Sequence, residues 1–251
     1  MSGGKAVMQR RLWYIKNAAL FSWLQEEELQ RLASRSEMVA CKKNTIFYFA
    51  HEQSDSIYLV KQGRVKLTRT SAEGREVILD ILAPGEIFGE LAVTGEEIRT
   101  HSAIAVDDAL VCIITRQEFE NLLKRHPDMA LRVLKLVGLR RRELEMRLED
   151  LIYQPVANRL VLTLLWQARR HGTRQADGSI SLPLSQKDLA HLVGASREAV
   201  ADQIAEFKKG GLLETGYRSL RLTNPKGLMQ ILTTEVEFDV SELLNIEAPK
   251  P

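Results

Sequence analysis

The chain has 251 residues, 45% of them hydrophobic and 27% charged, and a formal net charge of +2. That length is too great for one minimal domain and suits two modest ones, while so small a net charge does not by itself imply a nucleic-acid partner. Its two cysteines, Cys41 and Cys112, stand far apart without CxxC spacing, which excludes a disulfide framework and a four-cysteine metal or iron–sulfur site and leaves both as expected core residues.

Residues 11–33 place Leu12, Ile15, Leu20, Phe21, Leu24, Leu29 and Leu32 at helical spacing. From Val39 the period changes to two. The run "NTIFYFAHEQSDSIYLVKQGRVKLTRTSAEGREVILDILAPGE" alternates short β-branched and aromatic stretches with turns at Gln62-Gly63, Glu73-Gly74 and Pro84-Gly85. This regular strand–turn spacing predicts an antiparallel sandwich or barrel. "THSAIAVDDALVCIITR" adds two strands that turn at Asp107-Asp108.

Helix returns at Arg116 and continues past Pro127 to about Tyr153. Leu134, Val137, Arg141, Leu144, Leu148 and Leu151 follow three- and four-residue steps, a heptad seam broken by one arginine. Ala130, Val133 and Leu136 lie on another side. Two apolar faces on one helix predict that one packs on its own domain and the other joins a second copy. A second helix follows over Val156–Arg170, then a polar loop, a short run at Ile180–Leu182, two short helices around Gly194, and "LLETGYRSLRLT", a hairpin turning at Gly216. Together these pieces make a winged helix.

Charge is unevenly spread. Residues 151–228 hold eleven basic and six acidic side chains, whereas residues 229–251 hold five acids and one lysine. A basic domain with an acidic appendage fits a polyanion partner. Within it, Ser185 can cap the first short helix with Asp188 three residues on, and Gly194 allows the tight turn between helices. The second helix buries Val200, Ile204 and Phe207 and exposes Arg197, Glu198, Ala201 and Asp202. Arg197 can bond guanine O6 and N7 bidentately, and a carboxylate can accept from cytosine N4. Ser196 caps this helix or bonds a phosphate. The expectation is that the helix reads double-stranded DNA.

"LSQKDLAHLVGASREAVADQIAEF" closely resembles the helix–turn–helix of the CRP/FNR superfamily of bacterial transcription factors. "IFYFAHEQSDSIYLVKQGRVKL" and "EGREVILDILAPGEIFGELA" look like its cyclic-nucleotide-binding-type β-roll, and residues 127–153 like its dimerising helix. The resemblance implies an α+β chain in four parts: a sensor roll with N-terminal helices (1–126), a dimerisation helix (127–153), a winged helix–turn–helix (154–228) and an acidic tail (229–251). It implies base contacts from Arg197 and Glu198, with Ser185, Gln186 and Ser196 near phosphates. Asp202, where the family favours a basic or small residue, opposes nearby phosphates unless it accepts from a base. Ala199 replaces a threonine and so removes a hydroxyl contact.

"GELA" (Gly89, Glu90, Leu91, Ala92) resembles the family's phosphate-binding segment. The arginine that should precede Ser-Ala is instead His101, in Arg99-Thr100-His101-Ser102-Ala103, so Arg99 is left as a displaced phosphate contact if its strand extends that far. No Ser or Thr occurs between Asp128 and Leu162, which disfavours cyclic AMP held in the usual way. A lone histidine on a strand does not predict haem, and the lack of an N-terminal cysteine cluster opposes an iron–sulfur member. "GELA" thus either holds an unidentified small effector or is a structural turn in a roll that binds nothing. The expected protein is a cytoplasmic, dimeric regulator that reads an inverted-repeat operator, has no membrane partner and acts with RNA polymerase. It is not an enzyme, since no nucleophile constellation, phosphate-cradling Gly loop or metal spacing is present. The rival reading is a cyclic-nucleotide-binding module acting on a protein partner, which leaves the winged helix without a role.

Overall fold

The computed structural model describes Ile15, Ala18 and residues 20–232. The readings of Leu12 and of the acidic tail beyond residue 232 fall outside these described residues. The chain divides into two compact units, 1–143 and 144–251, with the boundary inside the long helix.

In the first unit, helix α1 (Glu26–Ser34) precedes eight strands: β1 (Glu37–Cys41), β2 (Ile46–Tyr48), β3 (Ser56–Gln62), β4 (Val65–Thr70), β5 (Glu76–Leu82), β6 (Ile87–Phe88), β7 (Ser102–Ala105) and β8 (Ala109–Thr115). They form two antiparallel four-stranded sheets, ordered β1-β8-β3-β6 and β2-β7-β4-β5. A short 3₁₀ turn, Glu90–Thr94, follows β6, and helices α2 (Arg116–Arg125) and α3 (Pro127–Tyr153) follow β8.

Strand β3 is buried along nearly its whole length, and the period of two explains why. Ile57 and Leu59, with Cys112 and Ile114 of β8, face a core shared with α1, α2 and the start of α3. Tyr58 and Val60, with Val111 and Phe88 of the same sheet, face the second sheet, where they meet Val65, Leu67, Leu82, Ala103 and Ala105. The first sheet is therefore covered on both faces. Both cysteines are buried and free.

Helix α3 begins on Pro127, whose missing N–H is no loss at a first helical position. Met129 and Val133 are buried in the first core, and Leu136 and Val137 pack partly against it. This corrects one sequence expectation. Ala130 is exposed and Met129 is the buried residue, because the core-facing positions step 129, 133, 136. Val137, read as part of the seam toward a second copy, is partly buried and also packs against its own core.

In the second unit, α4 (Val156–His171) leads through β9 (Thr173–Arg174) and β10 (Ile180–Leu182) to α5 (Gln186–Val193) and α6 (Arg197–Lys209). Strands β11 (Leu213–Gly216) and β12 (Ser219–Leu222) form the wing, and α7 (Pro225–Met229) follows. The sheet order is β11-β12-β10-β9. Gly216 is not the turn itself: it pairs with Ser219, and the turn is Tyr217-Arg218, with Arg218 at a φ of 54°. Leu160 and Leu164 of α4, Leu189 of α5, and Val200 and Ile204 of α6 are all at most 2% exposed.

Phe88 is fully buried and stacks on Tyr58 at 4.7 Å between ring centroids. Phe88→Ala should cost about 3–5 kcal/mol of unfolding free energy, read from urea denaturation of the purified protein.

Candidate nucleic-acid interface and sensor site

Two capped helices and the glycine between them make the exposed face of the second unit. Ser185 is the N-cap of α5; its Oγ accepts from Asp188 N at 3.1 Å and donates to the Asp188 carboxylate. Ser185 is therefore occupied as a cap and half-buried, while Gln186 is exposed. Gly194 ends α5 at a φ of 66°, and a Cβ added there would lie 2.8 Å from Leu151 Cδ2. Both the left-handed backbone and the close approach require glycine. Leu151, read from sequence as part of the seam, is 46% exposed and also touches the helix–turn–helix turn, and Arg159 of α4 donates to the Gly194 carbonyl, at 3.5 Å.

Ser196 caps α6, its Oγ accepting from Ala199 N at 3.1 Å. The Glu198 carboxyl is held below the usual carboxylate range by a bond from its own backbone N–H and another from the Ser196 hydroxyl. It is thus ionised and acceptor-only at neutral pH. Arg197, Glu198, Ala201 and Asp202 are exposed, whereas Val200, Ile204 and Phe207 are buried. The basic side chains near the wing are partly committed elsewhere. Arg221 bonds Ser179 Oγ at 2.8 Å and pairs with Asp177 and Glu214, and Lys208 Nζ donates to Thr215 Oγ1 at 3.2 Å. Tyr217 at the wing tip is 94% exposed, a feature no periodicity in the sequence signals.

Along α3, Leu134, Arg141, Leu144 and Leu148 are exposed, and so is Leu131, which the sequence reading omitted. Leu131 stands three residues before Leu134, so the heptad step could have found it.

In the first unit, Gly89 has a φ of 73° and opens the 3₁₀ turn that carries Glu90, Leu91 and Ala92. Gly89, Glu90 and Ala92 are buried, and Leu91 is half-buried. Arg99, expected on a strand with His101, lies before β7, which starts at Ser102. It is nevertheless 1% exposed. Its guanidinium donates to the Gly89 carbonyl at 3.2 Å and to the Ser56 carbonyl, stands 4.3 Å over the Tyr48 ring, and is 3.9 Å from Glu96.

His101 is buried with Nε2 3.1 Å from the Tyr48 hydroxyl and Nδ1 3.2 Å from Thr100 Oγ1. Burial pushes its pKa down, against the pull of Glu96 and Glu90. Thr100 donates to Glu96 at 3.1 Å, and Ser102 Oγ accepts from Ala50 N at 3.0 Å. One residue that sequence reasoning missed enters here. Arg140 of α3 donates to Glu90 Oε1 at 2.8 Å and to the Ile87 carbonyl at 2.7 Å, and lies 3.9 Å from Asp80. The signal was the same core-facing step, 129, 133, 136, 140, but an arginine within the run Arg140-Arg141-Arg142 reads as solvated.

Residues 38–126 match the cyclic nucleotide-binding domain and residues 158–231 match the Crp-like helix-turn-helix domain. The cyclic AMP receptor protein of Thermus thermophilus is 30% identical over 202 residues, covering 80% of this chain and 91% of that protein. The chain belongs to the CRP/FNR family of transcription regulators. A CRP-like cAMP-activated global transcriptional regulator of Mycobacterium tuberculosis is 27% identical over 215 residues, covering 85% of this chain and 96% of that one. Among solved structures, FixK2 from Bradyrhizobium japonicum shares the fold at a TM-score of 0.71 and 22% identity, over 80% of this chain and 99% of that one. Like these relatives, this CRP/FNR member is a transcription regulator with a helix–turn–helix DNA-binding domain, not an enzyme. Among its described residues no helix is long and apolar enough to cross a membrane.

The Glu90 carboxylate is bonded by Arg140, the Gly89 carbonyl by Arg99, and α3 contains no Ser or Thr.

The buried, neutral His101 has a pH consequence. Its folded pKa lies below the unfolded value of about 6.5, so its contribution to stability is full above that pH and is lost as pH falls through the folded pKa. The drop in melting temperature from pH 7.5 to pH 5.5 should shrink in His101→Gln, measured by thermal unfolding in matched buffers.

Proposed function

We propose that the protein binds DNA as a homodimer and reads an inverted repeat through α6, with Arg197, Glu198 and Asp202 toward base edges and Gln186 toward the phosphate backbone. The observation that carries this reading is the first turn of α6. It is a capped helix start after a left-handed glycine, presenting an exposed guanidinium and an ionised carboxylate on one face. Residues at that position of a recognition helix reach base edges in the major groove. Ser185 and Ser196 serve the helices as caps, so their part toward DNA is to orient those two helix starts.

Homodimerisation is supported by the exposed stripe of Leu131, Leu134, Leu144 and Leu148, which is long for apolar surface left in water. Two recognition helices about 34 Å apart then meet successive major grooves. On this reading residues 1–126 form the sensor, 127–153 the dimer helix and 154–228 the DNA-binding part, and the protein works in the cytoplasm with RNA polymerase. DNA affinity is set in the sensor by something other than cyclic AMP held in the usual manner.

Arg197→Ala should cost roughly 1–3 kcal/mol at one base-pair position of the selected site and leave the other positions unchanged. Uniform loss on all sequences, in binding titrations against single-base variants, would contradict base reading. Leu134→Glu combined with Leu148→Glu should convert the dimer to monomer in sedimentation equilibrium and abolish the preference for an inverted repeat over a half-site.

A further inference from the structure

We infer that the outward face of α4 is the docking surface for this chain's own acidic segment, residues 235–247. Charge, reach and the spacing of apolar residues select that occupant.

Helix α4 has two faces. Leu160, Val161, Leu164, Leu165 and Ala168 are buried within the second unit. Leu162, Thr163 and Trp166 lie on the other side and are half-buried, and Arg169 and Arg170 continue that side at helical spacing. A leucine and a tryptophan followed by two guanidinium groups suit a partner that is both apolar and acidic.

The basic excess of the second unit sits here and not on the recognition helix. Residues 156–174 contain Arg159, Arg169, Arg170 and Arg174 and no Asp or Glu. Helix α6 instead sets Arg197, Lys208 and Lys209 against Glu198, Asp202 and Glu206. An acidic segment therefore gains more against α4 and β9 than against α6.

Residues 235–240 alternate Glu235, Glu237 and Asp239 with Val236, Phe238 and Val240, and Glu242, Leu243, Leu244, Ile246 and Glu247 follow. Laid out as an extended run, this alternation gives one apolar and one acidic edge. Six extended residues cover about 17–20 Å, enough to span the roughly 12 Å of helix between Leu162 and Arg170. The approach to the segment also lies beside α4. Helix α7 packs on α4, and its turn is carried on by bonds from Ile231 N to the Leu228 carbonyl and from Leu232 N to the Met229 carbonyl. The step from residue 232 to 235 then reaches about 10 Å, roughly the diameter of a helix. The matched Crp-like helix-turn-helix domain ends at residue 231, so the segment lies beyond that domain. A cover on α4 neutralises basic charge away from α6, which leaves the attraction for DNA to the exposed side chains of α5, α6 and the wing.

The test labels the full chain with 5-fluorotryptophan and follows the Trp166 resonance, assigned by its loss in Trp166→Phe. The Trp23 resonance, from the first unit, is the control for folding. Trp166 should shift toward its position in the unfolded chain when Glu235→Gln, Glu237→Gln and Asp239→Asn are combined. It should shift likewise, with every charge kept, when Val236→Ser, Phe238→Ser and Val240→Ser are combined. Arg169→Glu with Arg170→Glu should give the same shift, and adding Glu235→Lys, Glu237→Lys and Asp239→Lys should reverse it.

A Trp166 resonance that none of these changes moves would overturn the inference, as would a charge swap that fails to reverse the shift. So would a shift produced by the acid substitutions and not by the apolar ones, since charge without contact would then suffice. Unlabelled wild type mixed with the labelled apolar-to-serine variant should leave its resonance shifted. A return to the wild-type position would give the face to a second copy's segment and overturn the assignment to the same chain. None of these readouts involves DNA, so they stand apart from the reading of α6.

Discussion

A sheet covered on both faces has no water to share with a charged group, and that condition shapes the whole first unit. Strand β3 presents Ile57 and Leu59 to the helical core and Tyr58 and Val60 to the second sheet. Any ionised side chain at the open end of this sandwich must therefore be matched within the protein. Asp80, Glu90 and Glu96 are matched by Arg140 and Arg99. The cluster is the electrostatic counterpart of the packing.

The second unit is organised by a different rule. Its helices are short, and short helices depend on their ends. Ser185 and Ser196 satisfy backbone N–H groups at the starts of α5 and α6, and Gly194 permits the crossing between them. These local bonds orient the first turn of α6 without consuming its outward side chains. After Glu198's own backbone N–H, the same serine that caps the helix also lowers the pKa of the Glu198 carboxyl. Capping and recognition are thus neighbouring jobs on successive residues rather than competing readings of one motif.

Much of this was legible in the sequence because it is local. The period-two runs, the turn residues, the capping serines and the helix after Gly194 each carry their signal within a few residues. What was hidden depends on contacts between distant stretches. Arg99 does not reach its site along a strand but is buried from an irregular segment before β7. Arg140 lies fifty residues from Glu90, and nothing in a run of three arginines marks the one that turns inward. Val137 was placed by spacing on the seam, and its partial burial against the core of its own unit is a contact that spacing does not reveal. A heptad pattern identifies apolar positions but does not say which neighbour covers each.

Leu151 and Gly194 together form a close steric fit. The leucine, in the last turn of α3, occupies the notch that the missing Cβ leaves at the corner between α5 and α6. That corner lies two residues before the cap of α6. A side chain at position 194 would have to displace that leucine as well as adopt a left-handed backbone, so one glycine serves both the corner before α6 and the end of α3.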